Sequence, residues 1–155
     1  MKGMSMNRRR GFTLVELLIV MVMMGILAGL ALPSLQSAVW KARSAEVVSD
    51  IHTITLAYHE FLADGGGLVK NAAWGTVPPD LVPYLPDGFS FSDPFVDYRW
   101  TRVAPKASPW GLEMGMIRVR PVAKYRKVFM PKLASIAPTA TSVVTNNQVQ
   151  FYIVR

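Results

Sequence analysis

The chain contains no cysteine, which excludes a disulfide framework, a thiolate metal centre and a cysteine nucleophile. Charge is scarce as well, at 17% of the 155 residues against 51% hydrophobic residues. That balance points to a membrane segment as readily as to a soluble core. Acids are the rarer sign, 10 against 17 lysines and arginines, for a formal charge of +7. Such an excess invites a nucleic-acid reading, so its distribution along the chain has to decide. No G-x-S-x-G motif and no paired His/Cys constellation occurs, and no enzymatic role is read from the sequence. The length supports one modest domain with an appended segment, not two full cores.

The apolar residues are concentrated near the amino terminus. Residues 1–11 (MKGMSMNRRRG) hold Lys2, Arg8, Arg9 and Arg10 and no acid. Residues 12–32 follow, 21 positions of which 17 are apolar, with Glu16 their one formal charge. As a helix this stretch spans about 31 Å, the thickness of a bilayer's hydrocarbon. The arginines keep the amino end cytoplasmic and send the remainder across. Three readings fit this layout. One is a cleaved export signal, with Gly29-Leu30-Ala31 as its cleavage site or Arg9-Arg10 as a twin-arginine element. A second is a plain single-pass anchor, which gives no reason for Glu16, since an acid inside hydrocarbon costs at least about 2.5 kcal/mol unless partnered.

The third reading rests on Arg10-Gly11 followed by Phe12-Thr13-Leu14-Val15-Glu16-Leu17-Leu18-Ile19-Val20. This string resembles the type IV prepilin signature, and Gly25-Ile26-Leu27-Ala28-Gly29-Leu30-Ala31-Leu32-Pro33 extends the likeness. The resemblance implies cleavage between Gly11 and Phe12 by a membrane-embedded prepilin peptidase, which would then N-methylate Phe12. It also implies a pilin-like α+β fold and polymerisation with other pilin or pseudopilin subunits on an inner-membrane assembly platform. Cleavage there retains the apolar helix and creates an amine at Phe12. Glu16 lies four residues on, about 6 Å along the axis, and between staggered neighbours its carboxylate would meet the next subunit's amine. Misregister would leave both charges unpaired in an apolar medium. Gly25 and Gly29 form a GxxxG pair that permits close helix approach, or are simply glycines tolerated in a membrane helix. With Pro33 they mark weak helix propensity, and the resemblance implies a stretch that extends or melts on entering the filament. Assembly residues on this reading are Glu16, Gly25, Gly29 and Pro33.

Residues 34–64 continue as an exported amphipathic helix. Val39, Val47, Ile51, Ile54, Tyr58, Phe61 and Leu62 recur at helical spacing and give one apolar face. Asp64-Gly65-Gly66-Gly67 stops it, and no Gly-Lys-Ser/Thr follows to make a phosphate loop. His52 and His59, seven apart, stand about 10 Å from one another, too far to share one ion. They read as polar-face residues.

Residues 65–97 form a Pro- and aromatic-rich loop, ordered by its bulky side chains, with one helical turn over Asp80–Leu85. Asp93-Pro94-Phe95 before Tyr98-Arg99-Trp100 resembles the Asp-Pro-Trp-Gly…Tyr element of type II secretion major pseudopilins, with Phe95-Val96 in place of Trp-Gly. That family's carboxy-terminal calcium loop is not identifiable. Asp87, Asp93 and Asp97 could offer oxygen ligands to calcium, but their spacing is not an EF-hand, and loop-capping aspartates explain them. No cofactor is expected.

Residues 98–155 read as an antiparallel sheet head. Strands are expected at 98–103, 112–120, 141–145 and 148–154, with Asn146-Asn147 turning the last hairpin. Val122, Tyr125, Phe129 and Leu133 suggest a short amphipathic helix limited by Pro131. Packing this sheet on the exported helix buries both apolar faces. Residues 44–97 hold eight acids and one base, whereas residues 98–155 hold ten bases and one acid. Arg118, Arg120, Lys124, Arg126 and Lys127 make the densest basic patch. It would complement the acidic side of a neighbouring subunit or, in a competence-type pilin, bind DNA with Trp100, Trp110 and Tyr125 stacking on single strands. The rival to a filament subunit is a membrane-anchored periplasmic binding module that never polymerises.

Overall fold

The computed structural model describes residues 12–108, 111–137, 142–145 and 147–153. It forms two compact units, one ending at Ala38 and the other spanning Val39–Arg155. Helix α1 (Leu14–Ala63) runs through both, and Pro33 lies inside it without ending it. Every described residue from 12 to 36 is exposed. An added Cβ at Gly25 or Gly29 would meet open space.

The second unit is α+β, the expected class. A four-stranded sheet has the order β1 (Val96–Val103), β2 (Met114–Pro121), β4 (Val149–Ile153), β3 (Ser142–Val144), and all neighbours are antiparallel. Each expected strand is present within a few residues. Asn146 lies outside the described residues, as do Trp110 and Gly11. Alternation assigns the faces: Val96, Tyr98, Trp100, Ile117, Val119, Val149, Phe151 and Ile153 are buried with Val47, Ile51, Ile54 and Tyr58 of α1 in one core. Val39, expected on the apolar face of α1, is half exposed instead. Trp40, one residue on, takes that place and packs against the core.

Helix α1 ends in a Schellman motif: Gly66 N–H donates to the Phe61 carbonyl (2.9 Å) and Gly65 N–H to that of Leu62 (3.1 Å). Gly65 has φ +82°, a conformation that favours glycine. The loop after it holds a 3-10 helix (Pro79–Tyr84) and lines the outer edge of β1, with Ala72 N–H on the Trp100 carbonyl (3.2 Å) and Gly75 N–H on that of Tyr98 (2.9 Å). Helix α2 (Arg126–Ile136) contains Pro131, so the proline does not limit it as the sequence suggested. Its ring removes the bond to the Lys127 carbonyl. Lys127 and Pro131 are exposed, on the side of the helix where a lost backbone bond costs least, while Phe129, Met130 and Leu133 anchor the helix on both sides of the proline.

A polar contact ties α1 to β1 at the core. The Tyr98 hydroxyl donates to Asp50 Oδ2 at 2.6 Å. Burial raises the Asp50 carboxyl above its ordinary range, outweighing that hydrogen bond, and the charges of Glu46 and Asp93 add to the rise. Burial and the bond to Asp50 likewise raise the Tyr98 phenol. Because the folded state favours the neutral acid, Asp50's contribution is greatest below the ordinary value of 3.8 and is lost as pH rises through its raised pKa. Asp50→Asn keeps an acceptor without the charge. Its stability at neutral pH, by denaturation of the detergent-solubilised chain followed by tryptophan fluorescence, is expected to equal or exceed the parent's, with the gap narrowing on acidification. Tyr98→Phe strands the carboxylate and is expected to cost about 1–3 kcal/mol. Gly115→Val is expected to be as damaging in the same assay, since a Cβ there would lie 2.4 Å from Trp100 Cζ2, an overlap that costs about 1–3 kcal/mol to relieve.

Candidate assembly site and basic face

The amino end of α1 is built around Glu16. Thr13 precedes the helix, and its N–H and its hydroxyl both donate to Glu16 Oε2 at 2.9 Å. Glu16 N–H donates in return to Thr13 Oγ1 at 3.2 Å. This is a capping box: two amides that a helix start leaves unpaired are satisfied reciprocally. Both hydrogen bonds to the carboxylate fall on Oε2. Thr13 is a capping residue that the sequence reading misses, although Thr-x-x-Glu before an apolar run is the signal that reveals it. Phe12 is exposed and outside the helix, and Glu16, Gly25 and Gly29 lie on the part of α1, up to residue 32, that has no buried position.

The basic residues do not gather into one site. Arg118 and Arg120 alternate on the sheet face turned away from the core, beside Arg99 and Asp97 of β1. Arg120 Nη2 pairs with Asp97 Oδ2 at 3.1 Å, and its guanidinium lies 4.2 Å from the Trp74 ring centre, a stacked cation–π arrangement. Arg99 donates to the Ala72 carbonyl at 3.1 Å, and Arg102 pairs with Glu113. Arg126 donates to Asn147 Oδ1 at 3.1 Å. Lys124 and Lys127 are exposed near the start of α2, with Lys124 5.4 Å from the Tyr125 ring centre.

The stacking aromatics fail for a physical reason. Trp100 is 1% exposed, its Nε1–H spent on the Val69 carbonyl at 3.2 Å and its ring 4.8 Å from Tyr58. Tyr125 packs on Trp40 (5.5 Å) and Phe95 (5.1 Å). Neither offers a free face to a base, and Trp110 lies outside the described residues. Trp74, beside Arg120, is an aromatic at that face. Nothing in its local sequence signals this, because the pairing spans 46 residues.

Two of the three loop aspartates are engaged, while Asp87 is exposed and has no hydrogen bond among the described residues to match the capping role expected of it. Asp93 Oδ1 accepts from Phe95 N–H at 3.0 Å, and Asp97 Oδ1 accepts from Ser92 Oγ at 3.2 Å. Among the described residues no three His, Cys, Asp or Glu side chains converge as metal ligands would. The Asp-Pro-Phe turn sets Phe95 edge-on to Trp40 at 6.0 Å and under the Arg43 guanidinium at 4.7 Å, so its role in this chain is to lock the loop onto α1. His52 and His59 are both exposed.

Residues 6–32 match the prokaryotic N-terminal methylation motif. The chain is 32% identical to the type II secretion system core protein G of Dickeya chrysanthemi over 121 residues, 72% of this chain and 69% of that one. It is 37% identical to the protein of the same name from Klebsiella michiganensis over 93 residues, 56% and 66% of the two chains. A fimbrial protein of Pseudomonas aeruginosa is 33% identical over 67 residues, 43% of this chain and 44% of its own. The chain thus spans about two thirds of the length of the secretion proteins it matches. No solved structure matches it. A methylation motif ahead of a membrane-length apolar helix, a head of four antiparallel strands, and this extent of identity place the chain in the family of type II secretion core protein G, among the pilin-like pseudopilins.

Proposed function

We propose that the chain is a structural subunit of a type II secretion pseudopilus. It is inserted with its amino end in the cytoplasm and its head across the inner membrane, and prepilin peptidase cuts it between Gly11 and Phe12 and methylates Phe12. The observation that carries this reading is the motif at residues 6–32 joined to an apolar helix that its own chain leaves uncovered. Phe12, Leu14, Met21, Leu27 and Leu30 are each more than two thirds exposed. Such a surface has to be covered, first by lipid and then by the helices of neighbouring subunits. Gly25 and Gly29, with open space around them, let those helices approach closely.

Glu16 supplies the register. Its Oε2 is held by Thr13, and a carboxylate retains acceptor positions beyond those two bonds. The Phe12 amine of an adjacent subunit fills them, so correct stagger pairs the two charges and wrong stagger leaves both bare. Pro33 completes the assembly set as the point of weak helix propensity. The partners are prepilin peptidase, further pseudopilin subunits and an inner-membrane assembly platform. A DNA-binding head finds less support: Arg120 and Arg126 are spent within the subunit, and phosphate tracking needs a row of unneutralised cations.

Mass spectrometry of the chain recovered from its host is expected to find an N-methylated Phe12 as the first residue; a start at Met1 or Leu32 would refute processing. Glu16→Ala is expected to be cut normally, yet to enter filaments at least about tenfold less well, the consequence of an unpaired charge in hydrocarbon. Normal incorporation would sink the register argument.

A further inference from the structure

The arginines of the second unit can be sorted by what answers them. Arg43 has Glu46, Arg102 has Glu113, Arg120 has Asp97, Arg99 has the Ala72 carbonyl and Arg126 has Asn147. Arg118 has neither a counter-charge nor an acceptor among the described residues. It is half-buried at the middle of the open sheet face, flanked in register by Arg99 on β1 and Gln150 on β4. Its Nε is sealed from water without a partner, and so is the Oγ1 of Thr101 nearby. A guanidinium that has lost part of its hydration and gained no anion is a standing cost to the fold.

The same residue lines a depression of about 390 Å³, with Thr101, Met116, Gln150 and Tyr152, and with Ala107 at its rim. The Gln150 carboxamide oxygen accepts from the Tyr152 hydroxyl at 3.4 Å, which leaves the Gln150 amide N–H groups as its donors. Arg118 and Gln150 together present donors and no acid. One net positive charge with adjacent N–H groups suits a carboxylate, which takes forked bonds from a guanidinium. It suits a polyphosphate less well, because Arg102 and Arg120 nearby are already neutralised by Glu113 and Asp97 and the Arg99 guanidinium donates to the Ala72 carbonyl.

The opposite sign is available on the same chain. Glu60 and Asp87 are exposed and Asp80 is half-exposed, and no hydrogen bond or ion pair engages these side chains among the described residues. In a polymer of identical subunits every copy carries both the unanswered arginine and such acids. We propose that the Arg118 depression is the receptor for an acidic side chain, from the 60–87 region, of a second copy of this chain. The proposal rests on the pseudopilus reading and adds to it a specific contact between heads.

The cysteine-free sequence makes the test clean. Full-length chain bearing Ala107→Cys would be co-expressed in its host with copies bearing His59→Cys, Pro79→Cys or Pro86→Cys, exposed positions that each adjoin one of the three acids and leave it in place, and treated with a short bismaleimide. A mixed dimer adduct is expected from at least one of the three positions. Adding Arg118→Glu to the Ala107→Cys copy should cut that adduct about tenfold or more; Arg118→Gln, which introduces no repulsion, should also reduce it, and Arg118→Lys should retain most of it. Protease resistance of each variant guards against loss of fold. Filaments that form normally but yield no adduct, or an adduct indifferent to Arg118, would overturn this contact and leave the pseudopilus reading standing. Failure of the parent chain to form filaments would overturn both.

Discussion

The ring of Trp100 joins every layer of the second unit. It lies 4.8 Å from Tyr58 on α1, over the bare backbone of Gly115 on β2, and its Nε1–H donates to the Val69 carbonyl in the loop. Its own carbonyl accepts from Ala72. Helix, sheet and loop are thus fixed by one side chain whose apolar area is fully buried and whose polar atom is satisfied, the condition under which tryptophan stabilises a core. Gly115 is glycine because the indole occupies the space of its side chain. Move the ring and the edge of β1 loses its loop, the loop loses its anchor, and the stripe of α1 from Val47 to Tyr58 loses its cover.

Much of this was legible in the residues. Val47, Ile51, Ile54 and Tyr58 recur at helical spacing and are all buried, and the alternation Tyr98, Trp100 against Arg99, Thr101 separates the two faces of β1. That same alternation contradicts the idea of Trp100 stacking on a nucleotide, because Trp100 shares parity with Tyr98 and not with the arginines. What pattern alone could not reveal depends on pairing across the chain. Ser44 is buried because its hydroxyl turns back to the Trp40 carbonyl at 2.9 Å, and Asp50 is drawn into the core because Tyr98, 48 residues away, donates to it. Pro131 reads as a stop in one dimension, whereas its exposure and the buried residues on either side let α2 continue.

At the amino end the legible and hidden parts meet in one residue. The family pattern marks Glu16, and the geometry adds Thr13, which satisfies the helix start and takes up one oxygen of the carboxylate. A carboxylate so held has fewer orientations to lose when it pairs again, so part of the entropic cost of that pairing is met before assembly. The capping box and the proposed intersubunit ion pair would therefore be cooperative uses of a single side chain, not competing ones.

The basic excess of the whole chain resolves in the same way. Lys2, Arg8, Arg9 and Arg10 lie ahead of Phe12, and from Phe12 onward 13 basic residues face 10 acidic ones. Most of the head's arginines are then answered inside their own subunit by a carboxylate, a carbonyl or an amide. Among the described residues, carboxylates neutralise Arg102 and Arg120, whereas Arg99 and Arg126 keep their charge but commit donors to neutral acceptors. The positive charge left to a partner is scattered, not a continuous row, and is set against exposed acids after α1. A surface of that kind has too little contiguous positive charge to track a polyanion. It has enough to reject a neighbour presented in the wrong orientation, since like charges then meet without compensation. Apolar helices supply the attraction in such a polymer but are nearly indifferent to rotation, so orientation has to come from the heads.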